Sequence, residues 1–134
     1  MEVTHNTNNL AIAPRKMRLV ADGMRYKTAA EAIALLPLLP QKAAGLMYKA
    51  LKSAIVMAKD NDLDVDTLVI QRVWANEGRV LKRSVSHSRG RMAPIMKRAS
   101  HLSIVLSGQL VAKRGASKKE AALVQESTPA QEQE

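Results

Sequence analysis

An α+β fold is predicted by three features of the sequence. Apolar residues recur at helical spacing up to about residue 59, and the period then changes to two. Between the two alternating segments lies a stretch with no acidic residue, from Glu77 to Glu120, that carries Arg79, Lys82, Arg83, Arg89, Arg91, Lys97 and Arg98. Helical and strand segments are thus segregated along the chain, as in domains that set helices against an antiparallel sheet. The basic stretch reads as one long extended β-hairpin whose like charges repel along a single ribbon, so a polyanion is the first partner to consider.

Residues 2–12 are polar and β-permissive, a first strand. Pro14 suits the first position of a helix, and Met17, Val20, Ala21 and Met24 place one apolar stripe on residues 15–25. Arg15, Arg18, Asp22 and Arg25 share another face. Thr28 with Glu31 forms a capping box for a second helix over about 29–36, which Pro37 ends or kinks. Pro40 is predicted to open a third helix running to about residue 59, with Ala43, Met47, Ala50, Leu51, Ala54, Ile55 and Ala58 inward. Lys42, Lys49, Lys52 and Lys59 form a stripe on the other side, which is either a solvated face or a phosphate-facing one.

Residues 65–75 read as a strand with Leu68, Ile70 and Trp74 on one face. In the returning strand Leu102, Ile104 and Leu106 alternate with His101, Ser103, Val105 and Ser107. Gly90 is the expected turn residue between the arms. Each arm then spans roughly 15 residues, or roughly 50 Å, mostly without an apolar face. Because an isolated two-stranded ribbon is marginal in water, the distal hairpin is expected to order only on RNA. Residues 1–111 form one domain that includes the hairpin at about 79–98. Residues 112–134 are Lys-, Ala-, Glu- and Gln-rich and are expected to be a disordered tail.

At 134 residues the chain holds one modest core, and its formal charge of +9 points to a phosphate-rich partner. With no cysteine there is no disulfide, thiolate metal site or cysteine nucleophile. No apolar run reaches the length of a bilayer span, so no membrane partner is expected. Two tyrosines, one tryptophan and no phenylalanine give few stacking platforms. Binding to folded RNA or a duplex through backbone and shape is therefore expected.

Asp60, Asp62, Asp64 and Asp66 alternate like the start of a calcium loop. Val65 stands where that loop needs glycine and Gln71 where it needs glutamate, so an acidic helix-to-strand turn is the better assignment. His5, His87 and His101 have no ligand spacing, so no metal and no cofactor is expected. Ser86, His87 and Ser88 lack an orienting acid nearby, so no catalytic residue is assigned. A DNA-bending protein with basic β-arms remains an alternative, although Pro94 is off the tip and no dimer interface is evident.

PRKMRLVADGMR at 14–25, KAAGLMYKALKSAIVMAKDNDLD at 42–64 and NEGRVLKRSVSHSRGRMAPIMKRASHLSIVL at 76–106 together resemble the large-subunit ribosomal protein L twenty-two family, in its bacterial form. The resemblance implies three helices packed on a small three-stranded antiparallel sheet, with one hairpin greatly extended into ribosomal RNA. It implies a structural constituent of the large ribosomal subunit in the cytoplasm, which assists assembly by bridging RNA domains. Partners would be large-subunit ribosomal RNA, neighbouring large-subunit proteins and the nascent polypeptide, without homo-oligomers. RNA contacts would come from Arg15, Lys16, Arg18, Arg79, Lys82, Arg83, Arg89, Arg91, Lys97, Arg98 and His101. Ser86, His87, Ser88, Arg89, Gly90 and Arg91 would form the tip that lines the peptide exit tunnel. Ser86 and His87 replace the family's usual proline and arginine, giving a more flexible and less charged tip. Ala11 and Ala13 replace an arginine and the serine expected to cap the first helix. Tyr26 replaces a glycine where φ > 0 is usual, so a different helix ending is expected there.

Overall fold

The computed structural model describes residues 1–110. Strand β1 (Glu2–Leu10) leads into helices α1 (Pro14–Met24), α2 (Ala29–Leu35) and α3 (Lys42–Asp60), followed by strands β2 (Val69–Ser86) and β3 (Met92–Ser107). The strands form one antiparallel sheet in the order β1-β3-β2, so the last strand is central. Helix α1 packs mainly on β2 and α3 mainly on β1. The α+β architecture expected from the sequence is the one observed.

Each helix forms where its apolar stripe can be covered. Met17, Val20, Ala21 and Met24 of α1 are buried, as the spacing predicts. Pro14 occupies the first turn and Ala13 supplies no side-chain cap. At α2, Glu31 N donates to Thr28 Oγ1 at 3.3 Å and Thr28 N donates to Glu31 Oε2 at 3.4 Å, the reciprocal capping box. Helix α3 begins at Lys42 behind Gln41, so Pro40 precedes the helix instead of opening it. Its buried face is mostly alanine, which brings the helix backbone close to its neighbours.

Several expectations need correction. Residues Val65–Thr67 form a short 3₁₀ turn, not a strand, and β2 starts at Val69. Asp64 caps this turn by accepting from Asp66 N at 3.3 Å, and Asp62 adopts φ 56°. The aspartates therefore shape the turn. Trp74 does not share a face with Ile70. The β2–β3 register shifts between Ile70 and Arg72, and this β-bulge reverses the alternation beyond it. Ile70, Val73 and Ala75 face the core, whereas Trp74 is 37% exposed on the other face. Tyr26 keeps φ 62° without being glycine. Its N–H donates to Ile70 O at 2.9 Å, and Ile70 N donates to Lys27 O at 2.9 Å. Two backbone bonds to β2 thus hold a left-handed conformation that costs a non-glycine residue about 1–2 kcal/mol. The expected tail lies outside the described residues.

The sheet narrows at Ser100. Leu10 and Glu77 both pair with Ser100 from opposite sides, and the register of each outer strand shifts there, between Thr7 and Leu10 and between Glu77 and Val80. Beyond that point only β2 and β3 continue, paired from Val80↔Arg98 to Ser86↔Met92. Residues 81–92 are all exposed. With so few buried contacts, distal amides should open locally at little cost. Hydrogen exchange on the free protein is expected to show lasting protection at residues 102–106 and fast exchange from about 80 to 95. Slow exchange of the whole hairpin without RNA would contradict this.

Candidate nucleic-acid interface

Residues paired directly across an antiparallel ladder share a face. One face of the distal ribbon therefore carries Leu81, Arg83 and Val85 opposite Lys97, Ile95 and Ala93. The other carries Val80, Lys82, Ser84 and Ser86 opposite Arg98, Met96, Pro94 and Met92. Each face mixes cations with apolar side chains. Leu81, Val85, Met92, Ile95 and Met96 are all exposed, so neither face is wholly apolar, yet each carries uncovered apolar side chains between its cations. Among the described residues no hairpin cation has an ion-pair partner. The one ion pair there joins Arg25 Nη2 to Asp22 Oδ1 at 3.1 Å.

At the hairpin base, Arg79, Lys97 and Arg98 converge with Asn9, Ala11, Leu81 and Ala99 around an open groove of about 510 Å³. Asn9, at φ 55°, lies in the irregular stretch between Thr7 and Leu10 where the β1–β3 register shifts. Three cations lining one groove suit a phosphate bridging two RNA segments. Below them, His101 Nδ1 lies 3.3 Å from Asn9 N and 3.1 Å from Asn8 Oδ1. Residue 78 is closely packed: a Cβ there would lie 3.1 Å from His101 Nε2 and 3.2 Å from Ala99 C, so both would have to give by a few tenths of an ångström. His101 is half-buried and ties β1 to β3 in addition to any contact with a ligand.

The helical residues divide. Arg15 and Lys16 are exposed on α1. Arg18 Nε donates to Ala75 O at 3.0 Å, so its guanidinium is partly committed to the edge of β2. Arg25 does the same to Val73 O, through Nε at 3.4 Å and Nη2 at 3.3 Å. Sequence reasoning placed Arg25 on the basic face of α1 and assigned it no role. Asn9 and Arg72 also have no role in the sequence reading, where Arg72 only breaks a strand face, because the bulges that place them do not show in the sequence. In the lysine stripe, Lys52 Nζ sits 4.6 Å from the Tyr48 ring centroid, a cation–π contact.

At the tip, Ser88–Arg91 form a tight turn in which Arg91 N donates to Ser88 O at 3.4 Å, and His87 N donates to Arg91 O at 2.7 Å to close the loop. Gly90 has the expected positive φ, 72°, and Arg89 shares it at 60°. Ser86, His87, Ser88, Arg89, Gly90 and Arg91 are all exposed. Arg83 Nη1 bonds only to Lys82 O at 2.8 Å, and Arg98 Nη2 lies 3.6 Å from Met96 Sδ.

The family model described as ribosomal protein L22p/L17e matches residues 5–107, which takes in the sheet, the helices and the whole hairpin. The chain belongs to this family. It is 40% identical over 106 residues to a large ribosomal subunit protein uL22 of Desulfosudis oleivorans, covering 79% of this chain and 93% of that one. A Staphylococcus aureus uL22 is 44% identical over 108 residues, covering 80% and 92%. A Metamycoplasma arthritidis uL22 is 50% identical over 97 residues, which is 72% of this chain but only 46% of that longer protein. Membership in this family sets aside the DNA-arm alternative and gives the chain a structural, non-enzymatic role in the ribosome.

Replacing Gly78 by alanine should force His101 and the Ala99 backbone apart. A loss of about 1–3 kcal/mol is expected, read as a lower urea midpoint at unchanged slope. The second change His101→Ala should restore only part of it, because the Ala99 backbone cannot move aside.

Proposed function

We propose that the hairpin inserts into large-subunit ribosomal RNA and bridges RNA segments during assembly, and that its tip lines the nascent-peptide exit tunnel. The observation that carries this is the distribution of charge and apolar surface on both faces of one ribbon. A protein lying on RNA needs cations on one side. A ribbon surrounded by RNA needs them on both, with apolar side chains between them to meet sugars and bases. Arg79, Lys82, Arg83, Lys97 and Arg98 would neutralise phosphates that otherwise repel one another, arginine doing so with paired donors. Arg89 and Arg91 would do the same beside the tip. His101, together with Arg15, Lys16 and Arg18 on α1, would extend the contact onto the globular domain.

The globular part would remain at the subunit surface against neighbouring ribosomal proteins, in the cytoplasm. Among the described residues no helix is long and apolar enough to cross a membrane. Assembly of this kind needs no chemical step. The domain positions the ribbon, RNA closes around it, and the finished contact fixes the RNA segments relative to one another. Residues 1–111 would act as one unit, with residues 112–134 as an appended tail.

Sedimentation of a tagged copy through a sucrose gradient after a high-salt wash tests insertion. A surface-bound basic protein leaves as salt screens its phosphate contacts, whereas an enclosed ribbon is expected to stay with the large subunit. Recovery in the free or DNA-bound fraction would overturn the proposal. In titrations with large-subunit ribosomal RNA, the double change Lys97→Ala and Arg98→Ala should flatten the salt dependence by about 0.7–0.9 in slope per lost contact. For the tip, a photoreactive residue at position 87 is expected to cross-link to a stalled nascent chain. A photoreactive residue at position 30, on α2, should not.

A further inference from the structure

A cavity of about 280 Å³ opens where the end of α1 meets the bulged part of β2, lined by Arg25, Tyr26, Gln71, Arg72, Val73 and Trp74. Two of the chain's three aromatic side chains are gathered here. Trp74 is turned out of the core by the bulge, and Tyr26 is 79% exposed. Large aromatic side chains normally gain by burial, yet Trp74 keeps 37% of its surface open, and Tyr26 is both exposed and held at φ 62°. A side chain kept exposed on a strained backbone position is a reason to look for a ligand.

The cations around the rings point the same way. Arg25 is held in place by Val73 O and Asp22, which leaves its Nη1 without a partner among the described residues. Arg72 lies two residues before Trp74, on the same face of β2, and is exposed. The Oε1 of Gln71 is buried with no hydrogen-bond donor. Rotation about the last, soft torsion of that side chain would turn a free acceptor towards the cavity. Flat aromatic surface, unpaired guanidinium donors and a spare amide acceptor are the elements that hold an unstacked nucleotide.

We propose that this cavity receives an unpaired base of large-subunit ribosomal RNA, stacked on Trp74 with Tyr26 at its open side and the adjoining phosphate on Arg25 and Arg72. The inference rests on the ribosomal-RNA function above and adds a second, base-reading contact distant from the hairpin. It would add base stacking to the backbone recognition expected from so few aromatics, because two of them share one site.

Trp74 is the only tryptophan, so its emission reports on this site alone. The full-length chain is titrated with a large-subunit ribosomal RNA transcript and, in parallel, with a fully paired RNA duplex of equal phosphate content. Saturable quenching is expected with the ribosomal transcript and not with the duplex. Trp74→Leu should weaken binding to the transcript about 5- to 150-fold, the range for losing one stacked base, while Trp74→Phe should retain most of it. Tyr26→Gly separates binding from folding, because glycine accepts φ 62° without strain. That variant should unfold no more easily than the parent yet bind more weakly. If the transcript binds in a manner sensitive to Arg98→Ala while Trp74 emission and the Trp74→Leu affinity stay unchanged, this site is wrong and the hairpin function stands. If emission changes only in assembled subunits and never with naked RNA, a protein segment occupies the cavity and the nucleotide is excluded. Absence of any RNA binding would overturn both.

Discussion

Strand β3 is hydrogen-bonded along both edges from residue 100 to 107 and along only one edge from 92 to 98. That change, made within a few residues of Ser100, is the constraint from which the rest of the molecule follows. Inside it, Leu102, Ile104 and Leu106 anchor the strand in the core. Outside it, the same strand has no layer beneath. The base must therefore fix the direction of a ribbon that no packing supports. It does so with two register shifts on either side of one buried serine, a glycine that lets β2 approach Ala99, and a histidine that ties β1 to β3. Ser100 Oγ is buried without a partner, a cost accepted where three strands meet.

Charge is segregated along the same axis. The aspartates gather at the turn between α3 and β2, and the cations on the ribbon. If the acids were interspersed, they would pair with the hairpin arginines and compete with phosphate. Kept apart, they leave a field that draws a polyanion to the ribbon. The repulsion left on the free hairpin would then make its order depend on a polyanion, so that ordering of the distal arms and binding would be coupled.

The helices were legible because their stripes are long and regular: Met17 to Met24 and Ala43 to Ala58 follow the period without interruption. The hairpin was legible from its charge and from Gly90. What sequence periodicity could not show were the single-residue insertions. A bulge near Gln71 leaves composition unchanged but moves Trp74 from the core to the surface, and with it a candidate binding site. Tyr26 was misjudged for a related reason. Propensity describes what a residue adopts alone, whereas here two backbone bonds to β2 impose the left-handed turn from outside. The turn at Val65–Thr67 likewise depends on Asp64 acting as a cap, a role invisible in a run of β-formers.

The ribbon's cations also solve a second problem. Beyond Ser100 both outer edges of the β2–β3 pair are unpaired, and exposed Leu81, Val85, Ile95 and Met96 stand on its two faces. A long flat edge of this kind is a template for strand addition by another copy, and proteins commonly blunt such edges with charge. Arg83, Lys82, Lys97 and Arg98 are interleaved with those apolar residues, so any second hairpin that paired in register would bring like charges together. The groups proposed to bind phosphate would therefore also oppose pairing between two free hairpins. The two roles would be compatible, because RNA closing around the ribbon would neutralise the charge only where it also covered the edges. Removing cations singly would weaken RNA binding by degrees, but removing them from one whole face would expose an apolar ribbon with nothing to prevent pairing.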